Sequence, residues 1–122
     1  MRYVIVDTSS IIFGLSNKVD VFSAIKAKDP SLEPLISMGI MNELNRIRDS
    51  WGKFSKFAAA GIYLISRHEP DIANTKEGVD DWIVSEASKL GCSVCTNDMA
   101  LKRRLKAKGI EVFSISRSGA VR

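Results

Sequence analysis

Apolar and polar positions run along this chain in blocks whose period changes repeatedly. The apolar run Tyr3-Val4-Ile5-Val6, rich in β-branched residues, gives way to Asp7-Thr8-Ser9-Ser10. A short buried strand is expected over 2–6, and the polar tetrad supplies N-caps for a helix carrying Ile11, Ile12 and Leu15. Val19, Phe22 and Ile25 keep helical spacing until Asp29-Pro30-Ser31 breaks it. Leu35-Ile36 reads as a second strand, and Ile40, Met41, Leu44 and Ile47 restore the helical period over 38–47. Beyond Gly52 a helix is expected over 54–67, with Phe54, Phe57, Ala58, Ile62 and Ile65 as its buried stripe. His68-Glu69-Pro70 ends it, and 71–74 adds a short strand. A helix opening at Gly78-Val79-Asp80-Asp81 carries Ile83, Val84, Ala87 and Leu90 and stops at Gly91. A strand over 92–96, a helix over 99–108 ending at Gly109 and a last strand over 110–115 complete the pattern. The segment 117–122 reads as a polar, mobile C-terminal tail behind a single domain over 1–116.

Strands that alternate with helices argue for an α/β fold with a parallel sheet covered on both faces. In such folds ligands bind at the carboxyl ends of the strands, where the strand order reverses. Asp7 and Asp98 both follow strands, so both are expected on that rim.

Composition narrows the class. A chain of 122 residues with 45% apolar content forms one soluble globular domain. No apolar run approaches the ~20 residues of a membrane span, and Met1-Arg2-Tyr3 leads straight into a strand. The expectation is a cytoplasmic protein with no membrane partner. Cys92 and Cys95 form a C-x-x-C in or beside a strand rather than at a helix start, and His68 is the sole histidine. Two inert thiols are expected, not a redox or zinc site. The net charge of +4 favours an anionic partner. Five basic residues fall within seven at Lys102-Arg103-Arg104-Leu105-Lys106-Ala107-Lys108. That run is either a solvated helix face or a guide for a polyanion.

Candidate chemistry centres on Asp7, Glu43, Asp80 and Asp98. Each has a bland reading as well. The three aspartates sit where they could cap helices, and Glu43 could pair with Arg46 or Lys89. Brought together, like charges at about 4 Å repel by roughly 4 kcal/mol per pair at an effective dielectric near 20. Only a hard cation holds such a nest, and carboxylate oxygens suit magnesium or manganese. Two-metal carboxylate sites cleave phosphodiesters, so a metal-dependent nuclease is the expectation. A phosphatase of the aspartyl-phosphate type would want a second aspartate two residues after Asp7, where Ser9 stands. A receiver domain would want an acidic pair before the first strand, and none is there.

The motifs resemble those of the PIN domain family of metal-dependent ribonucleases over nearly the full length. Val4-Ile5-Val6-Asp7-Thr8-Ser9 is similar to the family's opening strand and first acidic residue. Ile40-Met41-Asn42-Glu43-Leu44 resembles its helical glutamate motif. Asp80-Asp81-Trp82-Ile83-Val84, continuing to Leu90-Gly91, resembles the third motif, and Thr96-Asn97-Asp98 the fourth. The resemblance implies a three-layer α/β/α sandwich around a mainly parallel sheet. It also implies one or two magnesium or manganese ions held by Asp7, Glu43, Asp80 and Asp98, with Asp81 as a substitute or supporting ligand. Thr8, Ser9, Thr96 and Asn97 would support the ligands or touch phosphate, and Lys102, Arg103, Arg104 and Lys106 would guide RNA. The implied activity is an endoribonuclease on single-stranded RNA, with little base stacking because Trp51, Phe54, Phe57 and Trp82 are scattered. The stretch from Thr96 to Ile110 is most similar to ribosomal-RNA-processing nucleases and their archaeal relatives. The VapC toxins share fold and quartet, so an antitoxin or a ribosome-assembly protein is an implied partner, and a homodimer is compatible. A non-catalytic RNA-binding or assembly module on the same fold is the alternative.

Overall fold

The structure, a computed structural model, is described over residues 2–122. Its elements follow the order β1 (Arg2–Val6), α1 (Thr8–Ser16), α2 (Val21–Lys28), β2 (Leu32–Ser37), α3 (Met38–Arg48), α4 (Ser55–His68), β3 (Asp71–Ala73), α5 (Val79–Leu90), β4 (Ser93–Cys95), α6 (Met99–Ala107) and β5 (Val112–Phe113). The five strands form one parallel sheet in the order β3-β2-β1-β4-β5. α1 packs against α2, α3 and α4, whereas α5 packs against α6. Two helical layers therefore enclose the sheet, as right-handed crossovers in opposite directions from a central strand require.

The central strand explains the rest. Val4, Ile5 and Val6 are fully buried, as a strand covered on both faces should be. β1 pairs with β2 on one side and β4 on the other, so the chain order reverses at the β1–β4 boundary. β2 is longer than the Leu35-Ile36 expected. Pro34 argues against a strand at its position, but β3 pairs with β2 only from Leu35 onward. Pro34 therefore sits where β2 has one neighbour, a place where a missing N–H is tolerated.

Two expectations are corrected. The segment after Arg117 folds back rather than hanging free: Ser114 and Arg122 exchange both backbone hydrogen bonds, and Ile115 bridges Val121 antiparallel. Gly119, at φ 93°, turns the chain where a side chain would be strained. The stripe on α4 is also only partly right. Ala58 and Ile65 are buried, but Phe54 lies just before the helix and is 44% exposed. Gly61 completes the buried face, because any Cβ there would stand 2.8 Å from the Ile11 Cγ2 methyl. Among the described residues, no helix is long and apolar enough to cross a membrane.

Candidate active site

Asp7, Glu43, Asp80 and Asp98 line one open cavity of about 500 Å³ at the carboxyl end of the sheet. Four separate connections deliver them. Asp7 ends β1, Glu43 lies midway along α3, Asp80 is in the first turn of α5, and Asp98 joins β4 to α6. Thr8, Ser9, Ser16 and Asn97 complete the polar wall, and Ile12, Phe13, Ile47 and Phe54 form an apolar one. Among the described residues, no lysine or arginine lines the cavity.

Asp7 is the most constrained member. Its backbone occupies the N-cap position of α1, yet its side chain makes no capping bond. Instead Oδ2 accepts from Ser9 Oγ at 2.7 Å and Thr96 Oγ1 at 2.8 Å. The capping explanation of this carboxylate thus fails, and its buried oxygen is tied to β4. Only 4% of the residue is exposed. Burial drives its carboxyl above the ordinary range, opposed by the two hydroxyls and reinforced by repulsion from Asp80 and Glu43. The Thr8 hydroxyl is buried beside it with no hydrogen-bond partner among the described residues.

Asp98 does cap its helix, its Oδ1 accepting from Leu101 N–H at 3.0 Å, and keeps the other oxygen free of that bond. Thr96 Oγ1 accepts from Asp98 N–H at 3.1 Å, so one hydroxyl orients both aspartates. Asn97 is a clamp. Its amide accepts from Ser10 Oγ and Ile115 N–H and donates to the Ile115 carbonyl, fastening α1 and the C-terminal hairpin to β4. These bonds hold the cavity wall in place. The carboxyl of Asp80 is also raised, by desolvation first and then by Asp98, with Arg104 acting in the opposite sense. Glu43 makes no ion pair among the described residues, so the proposed partners Arg46 and Lys89 do not explain it.

Other residues singled out in the sequence lie elsewhere. Asp81 is absent from the cavity wall and pairs with Arg104 at 3.0 Å on an exposed surface. Lys102 approaches Ser114 Oγ at 3.4 Å, and Arg103 and Lys106 are exposed beside the buried Leu101 and Leu105. Cys92 and Cys95 are free thiols, and burial pushes the Cys95 thiol up to about 12. His68 bonds Asp20 at 2.7 Å, far along the chain from the carboxylates. Sequence reasoning missed the apolar wall. Phe54 has the spacing of a core residue, and Phe13 stands outside every motif.

The donor set, all oxygen and unneutralised by any described lining cation, fits magnesium or manganese. Among the described residues, no three acidic, thiol or imidazole groups are already gathered closely enough to hold an ion. Glu43 and Asp80 would have to approach Asp7 and Asp98 for the four to share one ion.

A parallel sheet of reversed order with a carboxylate cleft at its switch point defines the class of protein. The PIN-like domain model matches residues 4–117, and the chain belongs to that family. It is 31% identical over 112 residues to Ribonuclease VapC9 of Archaeoglobus fulgidus, covering 92% of this chain and 82% of that protein. Its structure superposes on that of the PIN domain endonuclease Utp24 with a TM-score of 0.80 at 26% identity, covering 98% and 90% of the two chains. The VapBC-1 structure from nontypeable Haemophilus influenzae shares the fold, with a TM-score of 0.62 at 15% identity, covering 90% and 96%.

Proposed function

We propose that this chain is a magnesium- or manganese-dependent endoribonuclease that hydrolyses single-stranded RNA at the cleft holding Asp7, Glu43, Asp80 and Asp98. The observation that carries the reading is the delivery of four carboxylates, from four separate connections, to one cavity with no basic side chain among the described residues of its wall. The ribonuclease and endonuclease names of its relatives support it.

Asp7 is the fixed point, because Ser9 and Thr96 hold one of its oxygens and leave the other for a cation. Asp98 is fixed in the same way by the Leu101 N–H. Asp80 and Glu43 would close on the ion from α5 and α3. When bound, the metal supplies activation of a water and stabilisation of the leaving oxygen, chemistry that leaves a 5′-phosphate and a 3′-hydroxyl. Thr96 and Ser9 would keep Asp7 oriented and ionised, a supporting role that typically carries about 10–100-fold in metal affinity or activity. Arg103 and Lys106 would attract the RNA backbone from α6, with Lys102 and Arg104 partly engaged by Ser114 and Asp81.

Two cellular roles fit the same chemistry. A VapC-type toxin restrained by an antitoxin is supported by the name of the archaeal relative. Ribosomal-RNA processing is supported by the pattern from Thr96-Asn97-Asp98 to Gly109-Ile110. The enzymatic reading is tested by incubating 5′-labelled unstructured RNA with the protein in manganese, magnesium or chelator and mapping the product ends. Metal-dependent cuts with 5′-phosphate ends support it. Binding without cutting in every condition favours the non-catalytic module.

A further inference from the structure

The turn between α3 and α4 holds a feature that the carboxylates do not use. Trp51 is 96% exposed and adopts φ 60°, a left-handed conformation costly for a bulky residue. The turn is shaped around it. Ser50 donates to the Ile47 carbonyl, Gly52 N–H donates to Ser50 Oγ, and Ser55 Oγ donates to the Arg48 carbonyl. Hydrophobic burial would draw an indole inward, yet this backbone holds it in water. Three residues on, Phe54 is 44% exposed and lines the same cavity as the four carboxylates. Cations interleave with the rings: Lys53 Nζ lies 5.0 Å from the Phe54 centroid and Lys56 Nζ 5.4 Å from that of Phe57. Two exposed rings, Trp51 and Phe54, on either side of Lys53 offer what tracks a single-stranded nucleic acid, a face for a base and a cation for a phosphate.

We propose that Phe54 and Trp51 form a stacking rim for unpaired bases next to the scissile phosphate, with Lys53 and Lys56 contacting the backbone. The inference rests on the nuclease reading and assigns its substrate side. It reverses the expectation that the aromatic residues are too scattered to stack bases. Stacking tolerates any base, so the rim favours unpaired RNA without selecting sequence. The occupant is a nucleic acid on charge grounds, since the lysines that flank the rings suit phosphates.

Trp51 supplies its own probe, because the other tryptophan, Trp82, is 4% exposed and shielded. Fluorescence of the full chain would be titrated in chelator with an unstructured RNA, and with a strand of equal length carrying abasic sites. KM for cleavage of the unstructured RNA in manganese would be measured for the parent, Trp51→Ala and Phe54→Leu. The expected result is quenching by the base-bearing strand alone and a rise in KM of about fivefold or more for each variant. Thermal melts of both variants, expected to match the parent's, separate loss of contact from loss of fold. Parental KM in both variants, with no quenching in a parent that cuts RNA, overturns this inference and leaves the nuclease reading standing. RNA binding unchanged while the variants lose self-association makes the rim a protein interface and also overturns it. A parent that neither binds nor cuts RNA in any metal removes both readings together.

Discussion

Replacing Asp7 with asparagine should make the metal-free protein more stable while removing its activity. The carboxylate is 4% exposed, and burial together with Asp80 and Glu43 raises its carboxyl above the ordinary 3.8. A buried charge costs several kcal/mol even after relaxation. Its two hydroxyl donors offset part of this. Charged hydrogen bonds contribute about 1.5–3 kcal/mol each and neutral ones about 0.5–1.5, so the change sacrifices roughly 2–3 kcal/mol. The raised carboxyl means that burial and repulsion outweigh the two hydroxyl bonds, so removing the charge should stabilise the metal-free fold at neutral pH. The readout is a higher Tm for the metal-free variant, each 1 kcal/mol of stability being worth roughly 3–6 °C at this chain size. The sign of the pH dependence follows from linkage. A group whose folded-state value is raised stabilises fully below its unfolded value and loses that contribution as pH climbs through the folded one. The asparagine amide does not titrate, so the advantage of Asp7→Asn should be small near pH 4 and grow to a plateau as the pH rises toward neutrality. Manganese should invert the order, because a ligand at about 100 times its Kd stabilises the parent by about 2.7 kcal/mol and the variant little. Thermal melts from about pH 4.5 to 8, with chelator and with manganese, check all three points. A variant that melts below the parent in chelator near neutral pH, or a gap that does not vary with pH, would refute the reasoning.

Other changes separate support from chemistry. Thr96→Val removes a donor to Asp7 and the acceptor for Asp98 N–H at a fully buried position, and should cost about 1–3 kcal/mol in denaturant melts. Its cleavage rate should fall about 10–100-fold. Asp98→Ala should lose about 0.5–2 kcal/mol with the α6 cap, whereas Asp98→Asn should keep that stability because asparagine caps as well. Both should be inactive, and a difference in stability of the opposite sign would contradict the capping geometry. Arg103→Ala and Lys106→Ala should each lower the salt dependence of RNA binding by about 0.7 in the log–log slope, with no effect on melting.

How much was legible in the chain depends on what each signal encodes. Val4-Ile5-Val6 announces a strand covered on both faces because burial alone selects such a run, and Asp7 and Asp98 fall at strand ends by sequence position. Their arrival in one cleft follows from parallel connections around β1, a rule of topology that the alternating pattern invokes. The parts that the chain did not announce depended on contacts between distant residues. Arg117 to Arg122 looks polar, but its backbone pairs with Ser114 and Ser116, which no local pattern reveals. Asp81 and Asp80 are equivalent neighbours until Arg104 is placed beside one of them. Phe54 has the spacing of a core residue, and only the Gly52 turn puts it on the cleft. Asn97 sits within a motif that suggests a ligand neighbour, yet its amide is engaged by Ser10 and Ile115.

The most direct measurement is cleavage of a labelled single-stranded RNA by the parent and Asp98→Asn, side by side, in manganese and in chelator. The expected result is cutting by the parent in manganese alone, and a loss of about 100-fold or more in a variant that melts normally. Parental cutting by folded Asp98→Asn, or undiminished cutting in chelator, would contradict a metal-dependent site built on these four carboxylates.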